Sequence, residues 1–156
     1  MIIFNDTSLN ANTGTIVGDC VFNDDTKNDH NITGNCEFNG TSKNGWAYTG
    51  TINGDVIFNG SSTNGGTYGM TFNPGVVNGD ATFNTSASNL SGSTVDEDAT
   101  FNGTSTNDGQ VNGNGTFNDD STNNGTVDGN ATFNGSSDQL GTVNGTVTCN
   151  TTGTCP

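Results

Sequence analysis

The chain has 156 residues, a length suited to one domain. Asp and Glu number 16 against two Lys and no Arg, a net charge of −14 that excludes nucleic-acid binding, because nothing would neutralise phosphate. Leu, Ile, Val and Phe together make only 28 residues, and low apolar content with high net charge normally describes a disordered chain.

The placement of those few apolar residues argues for order. Ile2, Phe4 and Asn5 open a phrase that recurs along the whole chain. Its next copies run Ile16 to Asn23, Ile32 to Asn39 and Ile52 to Asn59. Closer copies follow at Val77 to Asn84, Val95 to Asn102, Val111 to Asn118 and Val127 to Asn134. All nine Phe residues are followed by Asn, and Phe101, Phe117 and Phe133 lie 16 residues apart. A fixed period of this size is the signature of a solenoid.

Counting from the Phe, each regular coil has Val or Ile at minus six and a small or apolar residue at minus two. A spacing of two is strand alternation, so the minus-two residue and the Phe point inward. The residue between them points out and reads Thr82, Thr100, Thr116, Thr132 and Thr148 in the C-terminal half. Helical spacing is absent, and Gly recurs at minus four. Sixteen residues are too few for strand, helix and return, so each coil must bend back on itself. Asn marks the bends: Asn23, Asn39, Asn59, Asn84, Asn102, Asn118 and Asn134 at plus one, and a second row from Asn10 to Asn123 at plus six, which Gln139 closes. Asn is a turn residue, and stacked in register its amides can also form a hydrogen-bonded ladder.

These features predict an all-β parallel β-solenoid spanning 1–156 as a single domain. It would have about nine coils, a core of Phe, Val and Ala, Asn ladders at the turns, and a length of about 40 Å at strand spacing. Handedness and the choice between two faces and three stay open. The chain starts in phase within a coil, without a basic leader or cleavage site, as a piece of a longer array would. No apolar run approaches a membrane span.

Departures from the period all fall between plus six and the next minus six. The largest are insertions at 45–50 and 65–76. They carry Trp46, Tyr48, Tyr68, Met70 and Phe72, which successive coils would bring together. Such a patch suits a carbohydrate or a protein surface ligand; the alternative is a lid in which the loops pack on each other.

Cys20 and Cys36 both occupy minus two in adjacent coils, within disulfide reach at strand spacing. Cys149 takes the Phe position of the last coil, and Cys155 lies six residues on, so the pair would close residues 149–156 as a C-terminal cap. Periodicity thus selects Cys20–Cys36 and Cys149–Cys155, with buried free thiols as the alternative for the first pair. Disulfides imply an oxidising compartment. Asp55, Asp80 and Asp98 stack at minus three, where a Ca²⁺ ion could bridge their oxygens; a solvated acidic edge is the simpler reading. No other cofactor is expected, and no paired carboxylates with a basic partner indicate an enzyme.

Gly129-Asn130-Ala131-Thr132-Phe133-Asn134-Gly135 and Gly141-Thr142-Val143-Asn144-Gly145 resemble the Asn/Thr/Gly-rich arrays of bacterial surface and adhesin-like β-solenoid proteins. The resemblance implies an architecture and carries over no functional residues. The expected function is a structural or adhesive module of the cell surface or extracellular space, self-associating through its coil ends. An ice-binding protein using the outward Thr row is the alternative. A third reading is an acidic rod that mimics DNA.

Overall fold

The computed structural model describes residues 1–11 and 15–155. Every coil contributes short strands to three parallel sheets, so the solenoid has three faces and no helix among the described residues. The first sheet has nine strands, from Ile2–Phe4 to Val147–Thr151, and carries the Phe residues. The second has eight, from Leu9–Asn10 to Asp138–Gln139, and carries the plus-six Asn row. The third has eight, from Ile16–Val17 to Thr142–Val143. We call them the Phe, Asn and Val sheets.

Register follows the repeat without slippage. Phe83 pairs with Phe101, Phe101 with Phe117, and Phe133 with Cys149. Val95 pairs with Val111 and then Val111 with Val127. The core is therefore a set of columns. From Phe4 to Phe133 the rings stack with centroids 4.5–5.1 Å apart. The widest and most tilted step, Phe38 to Phe58 at 23°, spans the four-residue insertion. Seven of these rings are wholly buried, each worth about 1.5–3 kcal/mol of transfer free energy. That concentrates burial in a chain with few apolar residues.

The second Asn row is not at the surface. Asn28, Asn44, Asn64, Asn89, Asn107 and Asn123 are fully buried. Each donates from Nδ2 to the Oδ1 of the next, at 2.8–2.9 Å, and Gln139 accepts the last bond. Their positions are strand residues, not bends. The plus-one row, half-buried through most of its length, forms a second ladder of the same kind from Asn150 down to Asn5.

Between the Phe and Asn sheets, the plus-two residue turns the chain in a left-handed conformation. Asp6, Asp24, Thr85 and Asp119 have φ of 58–66° there, and Gly40, Gly60, Gly103 and Gly135 take the position in four other coils. Asp tolerates this region through local hydrogen bonding, whereas β-branched Thr85 is strained in it. Between the Val and Phe sheets, Gly113 and Gly129 admit no side chain, since a Cβ would lie 2.5–2.6 Å from the backbone of the coil beneath.

The hydroxyls of Ser42, Ser105, Ser121 and Ser137 are buried and find no partner, while Ala87 fills the same position in its coil. Ser121→Ala should therefore be neutral or mildly stabilising. Asn107→Ala strands the amide of Asn89 and the carbonyl of Asn123, and should cost about 3 kcal/mol or more. Urea midpoints at constant m-value check both expectations.

Candidate functional site

The insertions emerge at the corner between the Asn and Val sheets. The first loop is organised by Asp29, which is buried on the coil below. Its carboxylate accepts the N–H groups of Trp46 at 2.6 Å and Ala47 at 3.0 Å. Lys27 lies 5.1 Å from the centroid of the Trp46 ring, pairs with the Asp25 carboxylate at 2.9 Å and donates to the Asp25 carbonyl at 2.7 Å. Lys43 adds a longer contact to Asp25 at 3.7 Å. Lys27 thus links the loop to Asp25, and Lys43 adds charge on the same carboxylate.

The second insertion folds as a β-hairpin, Gly66–Tyr68 against Thr71–Asn73, with fully exposed Met70 at its turn. Cross-strand pairing puts Tyr68 and Asn73 on one face and Phe72 on the other. Tyr68 meets Trp46 edge-on at 4.6 Å, and Asn73 donates to the Trp46 carbonyl at 2.7 Å. Phe72 instead faces the coil above, against Gly92, where a Cβ would stand 3.1 Å from its ring. Of the five sequence-predicted patch residues, Trp46 and Tyr68 are brought into contact, Phe72 looks away from them, and Tyr48 and Met70 remain exposed.

Beyond Phe72 an open cleft of about 870 Å³ runs along the corner, lined also by Leu90, Ser91, Gly92, Asp108 and Asn124. Asn124 donates to Asp108 at 2.8 Å. Leu90, Ser91 and Gly92 come from the coil that carries the short two-residue insertion before Val95, and Asp108 and Asn124 from regular positions of the next two coils, which offer no local signal for them.

Asp55, Asp80 and Asp98 form part of another ladder. Asp55 Oδ1 accepts the N–H of Asp80, Asp80 Oδ1 that of Asp98, and Asp98 Oδ1 that of Asn114. Asn35, Asn114 and Asn130 continue it with the same geometry. Either side chain supplies the oxygen, so Asp and Asn interchange in this row, and the row has a use that needs no ion. Among the described residues no three acidic, Cys or His side chains gather where they could hold a metal. Just past the Val-sheet strands, Asp96 and Asp128 alternate with Asn112 and Asn144, which bond to them and separate their charges. The acidic residues are thus spread over several faces and do not trace one stripe.

Thr82, Thr100, Thr116, Thr132 and Thr148 stand in register on the outside of the Phe sheet. Ile57, Glu37, Val21 and Ile3 continue that column in the first coils.

Both disulfides are formed, Cys20–Cys36 with Cα atoms 4.7 Å apart and Cys149–Cys155 with Cα atoms 6.3 Å apart. The first replaces an interior apolar pair in adjacent coils. The second closes the segment whose Thr154 carbonyl accepts the N–H of Gln139, covering that end of the Asn sheet. Two such bonds are those of a protein that matures outside the reducing cytoplasm. Among the described residues no helix is long and apolar enough to cross a membrane. No family model matches the sequence, and no similar curated protein or solved structure was found.

Hydrogen bonding from Lys27 holds the Asp25 carboxyl below its ordinary value of 3.8, and the nearby charges of Lys27 and Lys43 add to the effect. A depressed folded value favours the ionised form. Its stabilisation is complete above 3.8 and is lost as pH falls through the depressed value. The single Trp, Trp46, reports on this clamp. Its fluorescence should change on acidification below 3.8 before global unfolding, and Asp25→Asn should abolish that step.

Proposed function

We propose that this chain is a non-enzymatic structural or adhesive module of an extracellular or cell-surface repeat protein. The observation that carries the reading is the unbroken register of three parallel sheets, reinforced at every coil by side-chain ladders. Such a body is stiff along its axis, because each coil is bonded to its neighbours at backbone and side chain alike. The loops at one corner then become the part of the surface free to vary for contact with a partner. The two disulfides and the resemblance to Asn/Thr/Gly-rich surface arrays support placement outside the cell.

Self-association through coil ends belongs to the same reading. At the N-terminal coil, strands Ile2–Phe4 and Leu9–Asn10 are paired on one side only, and Ile2, Ile3 and Leu9 are exposed beside them. A further coil, of this or another chain, would pair there. Sedimentation and electron microscopy of purified chains test this. Rods of one coil width, joined in pairs through their N-terminal coils, are expected as concentration rises, since the C-terminal segment covers the other end of the Asn sheet. A monomer at every concentration overturns the end-to-end part.

One observation favours a second reading, ice binding: five Thr residues stacked one coil apart on a regular sheet. A thermal hysteresis measurement decides it. This reading expects a freezing-point gap that Thr116→Lys collapses. No gap at high protein concentration ends it.

A further inference from the structure

We propose that the cleft beside the hairpin binds a neutral glycan, with Phe72 and Leu90 as its apolar wall and the Asp108–Asn124 pair as its polar side. The proposal rests on the adhesive reading and names the chemistry of the partner. A pyranose ring presents a face of C–H groups and a rim of hydroxyls. It therefore needs an apolar, preferably aromatic, surface set beside fixed acceptors and donors.

Phe72 is 38 % exposed, unlike the buried Phe column. The other face of its hairpin is tied to the loop beneath by the Asn73–Trp46 hydrogen bond and the Tyr68–Trp46 contact. Gly92 lets the ring lie close against the coil above. The bond from Asn124 Nδ2 to Asp108 Oδ1 orients both side chains. It leaves the other carboxylate oxygen, the carboxamide oxygen and one amide hydrogen for vicinal hydroxyls. These groups line one shallow, open cleft along the corner.

Charge narrows the class. No cation lines the cleft, Asp108 stands in it, and the chain carries −14, so sulfated, phosphorylated and uronic sugars are disfavoured. A peptide bound as an added strand would need an open sheet edge. Thr106–Asn107 beside the cleft is already paired on both sides, with Ser88–Asn89 and Thr122–Asn123, so such a peptide would have to use the edge of the hairpin strand Thr71–Asn73, which is paired on one side.

The test titrates the whole chain with fully N-acetylated chitohexaose, cellohexaose, xylohexaose and mannohexaose separately, followed by chemical-shift mapping and calorimetry. At least one should bind, with shifts confined to the cleft. Phe72→Ala should weaken it by about tenfold or more. Asp108→Ala should weaken it independently. Leu140→Ala, on the same corner beyond the cleft, should leave it unchanged. Circular dichroism confirms that each variant keeps the fold. No binding by any of the four, or binding that survives both cleft variants, overturns the proposal. A displayed peptide library retained through Phe72 without any sugar binding overturns it too. Sedimentation of the same samples keeps the two readings apart: assembled rods that bind no sugar sink the cleft alone.

Discussion

The fold depends on the buried carboxamide ladder of the Asn sheet. A buried amide left unpaired costs about 1–3 kcal/mol, so a column of them is tolerable only if every donor and acceptor is used. Coil stacking meets that condition by repetition. One Nδ2 hydrogen reaches the next Oδ1, and the other reaches a carbonyl of the Val sheet, as from Asn64 to Thr94 and Asn89 to Gln110. The condition fails if any coil slips by one residue. The ladder therefore enforces register in a chain whose apolar content is too low to enforce it alone. The Phe column and the Val column then fill the space that the ladder keeps regular.

The two Asn ladders run in opposite directions. In the buried row each donor points to the coil nearer the C-terminus, as from Asn107 to Asn123. In the plus-one row each points the other way, as from Asn118 to Asn102. Aligned amides polarise one another, which strengthens a chain of them but also sums their dipoles. Two antiparallel chains keep the strengthening while their net dipoles oppose. The acidic rows follow a related logic. Where carboxylates would meet at one coil spacing, Asn alternates with Asp just past the Val-sheet strands, or a backbone N–H engages the oxygen in the Asp55, Asp80 and Asp98 row.

Much of this was legible because side chains one period apart must share an environment. The Phe spacing predicted the parallel solenoid, and the matched positions of Cys20 and Cys36 predicted their bond. The plus-six Asn row reads as a bend, because Asn in isolation prefers turns. Its burial follows from the Asn sheet, which two-residue strands such as Thr106–Asn107 are too short to announce. The left-handed corner went unread because Asp, Gly and Thr85 alternate there, united only by backbone conformation. The cleft was hidden for a different reason. Phe72 lies in an insertion, while Leu90, Asp108 and Asn124 sit at ordinary repeat positions, and only the hairpin's fold puts them together.

Why the insertions gather at one corner follows from the same amides. At the Phe–Asn corner the plus-two residue must be left-handed, and at the Val–Phe corner the Gly rows leave no room for a Cβ. Added residues would disturb both. At the third corner the buried Asn bridges the two sheets from inside. Asn44 reaches the Val76 carbonyl although a ten-residue excursion precedes Val76's strand in the coil above, and Asn64 reaches Thr94 beyond a shorter one. The strand that follows each excursion is tied through the core to the Asn of the coil below, so the chain before it is free to lengthen outward without loosening the stack. Loop variation is thereby uncoupled from coil stability at this corner, where the aromatic hairpin and its cleft are found.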